Sequence, residues 1–127
     1  MPDKERSIEI STKSVGPVTV IHITGELDVI GGPQLEELAR KTLEQGARRC
    51  IVDLTRATFI DSIGVGSLIR THRAAVDKNS ALAVAGAQGM IAQLIKITQL
   101  HRIFKVYATL DEALASAQQE VGTGSAR

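Results

Sequence analysis

The spacing of apolar residues along the chain switches several times between the period of a strand and that of a helix. Apolar residues alternate with polar ones over residues 8–12, and an apolar run fills residues 18–23, with Gly16-Pro17 between them. This arrangement predicts an antiparallel hairpin. Apolar positions three and four residues apart between Leu35 and Leu43 then predict a helix, with Pro33 in its first turn and Gly46 after its end.

The same alternation continues to the end of the chain. Apolar runs predict strands at residues 51–54, 81–85 and 104–107, and helical spacing predicts helices from residue 62, at 91–98 and from residue 110. Thr109 and Glu112 form a capping box for the last helix. We therefore expect an α/β sandwich whose mixed sheet has about five strands, a hairpin followed by βα units, and about four helices. One domain is predicted at residues 8–119, with disordered segments at 1–7 and 120–127.

Residues 51–69 are the stretch around which the rest of the chain is organised. An apolar strand pattern is followed by a polar connection, a small apolar patch at Phe59-Ile60, and then Asp61-Ser62 before the helical spacing begins. The pattern predicts strand, loop and helix, with Asp61 as the N-cap and Ser62 in the first turn. Gly64 and Gly66 in that turn each cost about 1 kcal/mol of helix propensity relative to Ala, so close packing or close approach of another molecule should compensate.

Ser62 is expected to present its hydroxyl at the positive end of this helix, where a phosphate would be favoured by the dipole and by free backbone N–H groups. Simpler roles remain open: Asp61 as only a cap, Ser62 as an unmodified first-turn residue, and Asp28 as the cap of a turn. Because the ends of the two strands can meet at one edge of the sheet, Asp28, Asp61 and Ser62 are predicted to share a surface patch.

Composition narrows the classes of function. The chain has 127 residues, 43% of them apolar but only 2% aromatic, and its 15 basic and 14 acidic residues give a net charge of +1. An intermingled, balanced charge argues against nucleic acid or an anionic membrane as a partner. The single Cys50 is predicted to be a small buried residue, and neither a membrane span nor a signal peptide is expected. The protein is thus expected in the cytoplasm.

Motifs for catalysis and cofactor binding are mostly missing. No Gly-Lys-Ser/Thr follows a glycine-rich loop, and Ile69 stands where a dinucleotide fingerprint needs its third glycine. The three histidines, His22, His72 and His101, are too far apart to form a local metal pair. His72 is predicted to be a satisfied, partly buried histidine. The sequence therefore predicts a protein that is not an enzyme and has no cofactor or metal.

Two segments resemble one known family. The segment Asp61-Ser62-Ile63-Gly64-Val65-Gly66 is similar to the phosphoacceptor loop of STAS domains, the sulphate transporter and anti-sigma factor antagonist family. The segment Thr24-Gly25-Glu26-Leu27-Asp28 resembles the second recurrent motif of that family. The resemblance extends over roughly residues 8–117. Position 63 carries Ile, where antagonists often have a second Ser or Thr.

This resemblance implies an anti-sigma factor antagonist with Ser62 as the phosphoacceptor. Such a protein binds, when unphosphorylated, an anti-sigma factor that is also a serine kinase of the histidine-kinase-like ATPase type, and thereby releases a sigma factor. Phosphorylation by the kinase separates the two proteins, and a PPM-type phosphatase restores the antagonist.

The predicted partner-binding residues surround Ser62. Ser62, Gly66, Arg70 and Arg73 fall on one exposed stripe of the helix, and Ile63 adds an apolar contact. Asp28, Asp61 and Gly64 complete the predicted surface.

Two other functions remain open. The first is a STAS scaffold or transporter-associated subunit without phosphorylation, which Ile63 favours. The second is a small enzyme or nucleotide-binding protein that uses Asp28 and Asp61 for acid–base or magnesium chemistry. The sequence leaves open whether the protein is a monomer or a weak homodimer.

Overall fold

A single five-stranded sheet organises the computed structural model, which describes residues 8–125, with side chains described to residue 119. The strands are β1 (Glu9–Val15), β2 (Val18–Leu27), β3 (Arg49–Ile60), β4 (Leu82–Ala85) and β5 (Lys105–Tyr107), in that spatial order. β1 and β2 pair antiparallel, and the later strands pair in parallel. The predicted mixed sheet, a hairpin followed by βα units, is confirmed.

Within the described residues, four α-helices connect and cover these strands: α1 (Gly31–Glu44), α2 (Ser62–Asp77), α3 (Gly89–Ile97) and α4 (Leu110–Ser125). A short 3₁₀ helix at Leu100–Arg102 precedes β5. The predicted capping box of α4 is present in part, since the backbone N–H of Glu112 donates to the Thr109 hydroxyl over 3.1 Å. Gly46 follows α1 with φ of +92°, a left-handed conformation that favours glycine.

The helices divide the apolar side chains into two cores, one on each face of the sheet. The larger core joins α1, α2 and α3 to the sheet through residues such as Leu35, Leu68 and Ile95. The smaller one packs Ala113 and Ala117 of α4 on the opposite face. Cys50 is buried as predicted, and its burial raises the pKa of the thiol to about 11.

The organising strand is longer than the sequence pattern predicts. The polar residues after Leu54, expected to form a loop, continue β3 without a break to Ile60. They do so because β2 also continues through the Thr24–Leu27 segment and supplies backbone partners, from Thr24 opposite Arg56 to Leu27 opposite Ile60. Two register irregularities interrupt this pairing. The prediction of strand, loop and helix was therefore wrong in its middle part.

The register between β2 and β3 brings the two loops of interest together. Leu27 and Ile60 are paired at the carboxyl ends of their strands, so Asp28 and Asp61 leave the sheet from neighbouring positions. The predicted convergence of the two acidic residues on one edge of the sheet follows from this pairing.

The ends of the chain lie partly beyond the described part. Residues 1–7 lie outside it, and α4 continues to Ser125, further than the predicted end of the domain at residue 119. The disorder predicted at 1–7 and 120–127 stays a prediction. Within residues 8–125, no helix is both long and apolar enough to cross a bilayer.

Candidate functional site

The first turn of α2 is held by Asp61. Its backbone is extended, with φ of −120° and ψ of −171°, and its Oδ1 accepts a hydrogen bond from the Gly64 N–H over 2.9 Å. Asp61 is therefore the N-cap that the sequence predicts. Ser62 is the first residue of α2 and is exposed, and the next residue, Ile63, is 44% exposed. Ser62 is therefore accessible to another protein.

Gly64 fits because the turn packs on the end of β2. A Cβ at this position would overlap the carbonyl oxygen of Leu27 and lie 2.8 Å from Cγ1 of Ile60. Gly32 in α1 has a similar role, because a Cβ there would overlap the hydroxyl of Ser67 in α2. Close packing of the turn against a neighbour thus compensates for glycine at position 64, one of the two explanations that the sequence allowed. No local pattern in the sequence singles out Gly32.

The side chain of Asp28 stabilises the turn that follows β2. Its Oδ1 accepts hydrogen bonds from the N–H groups of Ile30 and Gly31, over 3.0 and 3.2 Å. This is the turn-capping role that the sequence left open. The carboxylate stays partly accessible beside the start of α2, and Val29 and Ile30 next to it are 60% and 49% exposed. Asp28 therefore adds negative charge to the surface around Ser62.

The stripe of α2 is exposed but one of its basic residues is held in place. Arg70 and Arg73 are exposed and Gly66 is half-buried. The guanidinium of Arg70 donates to both carboxylate oxygens of Glu36 in α1, over 3.0 and 3.1 Å. This hydrogen bonding lowers the pKa of Glu36, although burial opposes the shift. Arg70 is thus part of a link between α1 and α2.

Glycine at position 66 leaves room for this arginine. A Cβ there would lie 3.3 Å from Nη1 of Arg70, whose guanidinium bends back toward the start of the helix. Ser67 strengthens the same link, because its buried hydroxyl donates to Glu36 over 2.8 Å. The roles of Glu36 and Ser67 were not predicted from the sequence, since a contact between two helices leaves no local pattern.

More apolar side chains are exposed at the sheet edge that carries Ser62 than the sequence predicts. Ile63 was the only apolar contact predicted, but Phe59, Met90 and Ile97 are 47%, 86% and 75% exposed. Together with Leu94 they line a groove of about 290 Å³ between the end of β3 and α3. α3 begins after the carboxyl end of β4, so the groove opens at the same edge of the sheet as Ser62.

A second polar cluster lies on the sheet and was also missed. Nδ1 of His22 in β2 lies 2.8 Å from Oδ2 of Asp53 in β3, and a carboxylate only accepts, so Nδ1 donates. Oδ1 of Asp53 accepts from the N–H and the hydroxyl of Thr55, over 3.1 and 2.5 Å. The only signal in the sequence was His22 in an apolar strand. These bonds satisfy a carboxylate that is only 10% exposed.

The remaining hypothesis of a small enzyme or nucleotide-binding protein relies on Asp28 and Asp61. Over the described residues, no group of three or more His, Cys, Asp and Glu side chains could hold a metal ion. Asp28 and Asp61 each use one carboxylate oxygen for local backbone contacts.

The comparison with known proteins agrees with this architecture. The STAS domain model matches residues 9–113. The anti-sigma-B factor antagonist of Staphylococcus aureus is 29% identical over 100 residues, which cover 79% of this chain and 93% of that protein. The crystal structure of an anti-sigma factor antagonist from Mycobacterium paratuberculosis has a TM-score of 0.80 and 27% identity, over 89% of this chain and 96% of that one.

A solved structure of lower sequence identity also shares the fold. The phosphorylated form of the Bacillus cell fate determinant SpoIIAA has a TM-score of 0.66 at 22% identity, over 86% of this chain and 99% of that one. The family model covers most of the present chain, and relatives match it over most of their own length. This chain belongs to the STAS domain family.

Proposed function

We propose that this protein is a cytoplasmic anti-sigma factor antagonist that binds an anti-sigma factor through the surface around Ser62 and loses this binding when Ser62 is phosphorylated. The observation that carries the proposal is the exposure of Ser62 as the first residue of α2, directly after the capping Asp61. The named function of the relatives supports the first part, and the phosphorylated SpoIIAA of the same fold supports the second.

Charge explains how one modification can act as a switch. A phosphate on Ser62 adds about −1.5 to −2 charge beside Asp61 and near Asp28. The start of α2 tolerates this charge because its dipole favours anions. A closed protein interface does not, because burying a dianion beside carboxylates costs several kcal/mol. A penalty of about 3 kcal/mol weakens binding more than a hundredfold. No change of conformation is required.

The proposed partners are those that the resemblance to anti-sigma factor antagonists implies. The anti-sigma factor is a serine kinase of the histidine-kinase-like ATPase type, and a PPM-type phosphatase removes the phosphate. Ile63, Gly64, Gly66, Arg70 and Arg73 are proposed to contact the kinase together with Asp28 and Asp61. The exposed apolar side chains at the same edge support the proposal, because they would add apolar contact area to such an interface.

Substitution of the acceptor tests the proposal. Ser62→Asp should abolish binding to the anti-sigma factor kinase of the source organism and leave the melting temperature nearly unchanged. Ser62→Ala is the matched control: it should bind the kinase like the native protein and gain no phosphoryl group from Mg·ATP and that kinase, as judged by intact mass. Binding retained by Ser62→Asp would contradict the switch.

The scaffold or transporter-associated STAS subunit is the second candidate, favoured by Ile63 in place of a second hydroxyl residue. It predicts that native protein incubated with the kinase and Mg·ATP keeps its mass. One added phosphoryl group, lost in Ser62→Ala, would rule it out.

A further inference from the structure

A second cavity lies at the opposite edge of the sheet. It has a volume of about 310 Å³ and lies where β3, β4 and β5 begin, between the 3₁₀ helix and α4. β3 is 12 residues long, so its first residue, Arg49, is roughly 35 Å from the end that precedes Asp61. The cavity is therefore separate from the surface around Ser62.

The interior of the cavity is apolar. Leu82 and Phe104 are buried in its wall with Cys50, and Ala113 and Ala117 of α4 face it from the other side. Both alanines are buried, and β5 has only three residues.

Basic side chains form the rim. Arg102 and His101 of the 3₁₀ helix line the opening and are exposed, and Arg49 and Lys105 line it from the strands. None of the lining residues among those described is acidic. The whole chain is nearly neutral, with 15 basic and 14 acidic residues, so this grouping is not a consequence of composition.

One polar atom in the wall is unsatisfied. Nδ1 of His72 is buried and has no hydrogen-bond partner among the described residues, and the His72 ring packs against Phe104 with the centroids 5.8 Å apart. The sequence predicted a satisfied, partly buried histidine: His72 is partly buried as predicted, but its Nδ1 has no partner within the described part of the chain. Buried polar atoms in folded proteins are nearly always paired, so an unpaired one in the wall of a cavity calls for an explanation such as a ligand.

We propose that this cavity binds a small amphipathic anion, with an apolar body among Leu82, Phe104 and the α4 alanines and an anionic head at the basic rim. A pocket with apolar walls and a few convergent polar groups is the usual form of a small-molecule site. At about 30 Å³ for each water-sized group, the volume suits a ligand of about ten non-hydrogen atoms. A straight-chain carboxylate with eight carbons has that size, and an N–H of the His72 ring can donate a hydrogen bond to its head.

Octanoate and 1-octanol are suitable probes, since they share the chain and differ in the charge of the head. Calorimetric titration of the full chain should show saturable one-to-one binding of octanoate. The backbone NMR signals of Cys50, Leu82 and Ala113 should shift, and that of Ser62 should not. Arg102→Gln should weaken octanoate binding by about tenfold, the effect of losing one charge-assisted contact, and leave 1-octanol unchanged.

Filling the cavity provides the second arm. Ala117→Leu puts a larger side chain inside and should abolish binding, whereas Ala115→Leu on the exposed side of α4 should leave it intact. Met90→Ser in the groove near Ser62 should also leave it intact. If Ala117→Leu does not fold, Arg102→Gln decides alone, because Arg102 is exposed and its guanidinium donates to the side chain of Gln99.

Several results would overturn the proposal. These are the absence of saturable binding, unchanged binding in Ala117→Leu, or loss of binding in Met90→Ser. Equal weakening of octanoate and 1-octanol by Arg102→Gln would also overturn it. None of these outcomes bears on phosphorylation of Ser62, so the two proposals fail independently.

Discussion

Gly64 in the first turn of α2 lies directly against the carbonyl oxygen of Leu27, the last residue of β2, with no room for a Cβ between them. This contact places the loop that carries Ser62 beside the loop that carries Asp28. The surface proposed to bind an anti-sigma factor therefore depends on the absence of a Cβ at position 64.

Replacement of this glycine should destabilise the protein. Gly64→Ala gains about 1 kcal/mol of helix propensity but forces a methyl group into the Leu27 carbonyl and Cγ1 of Ile60. Overpacking of this kind costs about 1–3 kcal/mol, so we expect a net loss of up to about 2 kcal/mol in the free energy of unfolding, measured by urea denaturation.

Gly66→Ala is the matched control, two residues further along the same helix. Its new Cβ meets only the tip of Arg70, which can move by a few tenths of an ångström. We expect unchanged or slightly higher stability, by up to about 1 kcal/mol. Equal destabilisation by the two substitutions would show that contact with Leu27 is not the reason for Gly64.

The N-cap of α2 should contribute a similar amount to the free energy of unfolding. Asp61→Ala removes the carboxylate that accepts from the Gly64 N–H and should lower the free energy of unfolding by about 1 kcal/mol. Asp61→Asn keeps an acceptor oxygen and should lose much less, so the difference between the two variants measures the cap itself. An equal loss in both would indicate that charge rather than capping is responsible.

The cluster on the sheet should behave as a coupled unit. Asp53→Ala leaves His22 and Thr55 without their shared acceptor and should cost about 2 kcal/mol, because Asp53 is buried. His22→Ala should cost less, since Thr55 still satisfies one carboxylate oxygen. The double variant should lose less than the sum of the two, with a coupling of about 1 kcal/mol. Strict additivity would mean that the 2.8 Å contact contributes nothing.

Stability should depend on pH through His72. Burial lowers the pKa of this imidazole below its usual value of 6.5, so the unfolded chain takes up a proton before the folded protein does. The contribution of His72 is therefore fully present above pH 6.5 and decreases as the pH falls from 6.5 to the lowered pKa. Urea denaturation between pH 8 and pH 5 should show this decline, and His72→Gln should reduce it. A decline of the same size in His72→Gln would assign it to other groups.

Local chemistry in the sequence was enough to predict the order of the elements and the start of α2. Alternation and helical spacing gave the order of strands and helices, and the preference of Asp for helix starts gave Asp61 as the cap of α2. Such signals are readable because capping and amphipathic spacing involve residues within one or two turns of each other. The same local pattern predicts too short a β3, because the polar half of this strand forms only where β2 runs beside it.

Contacts between distant segments were decided by the tertiary structure alone. Glu36 holds Arg70 across 34 residues, and His22 meets Asp53 across 31. Neither pair is visible along the chain, because each depends on which helix faces and strand registers are adjacent after folding. The cavity beside Ala117 likewise exists only where three strand ends, a 3₁₀ helix and α4 meet. The sequence thus determined the elements and the exposed serine at the start of α2, and packing between those elements determined what surrounds it.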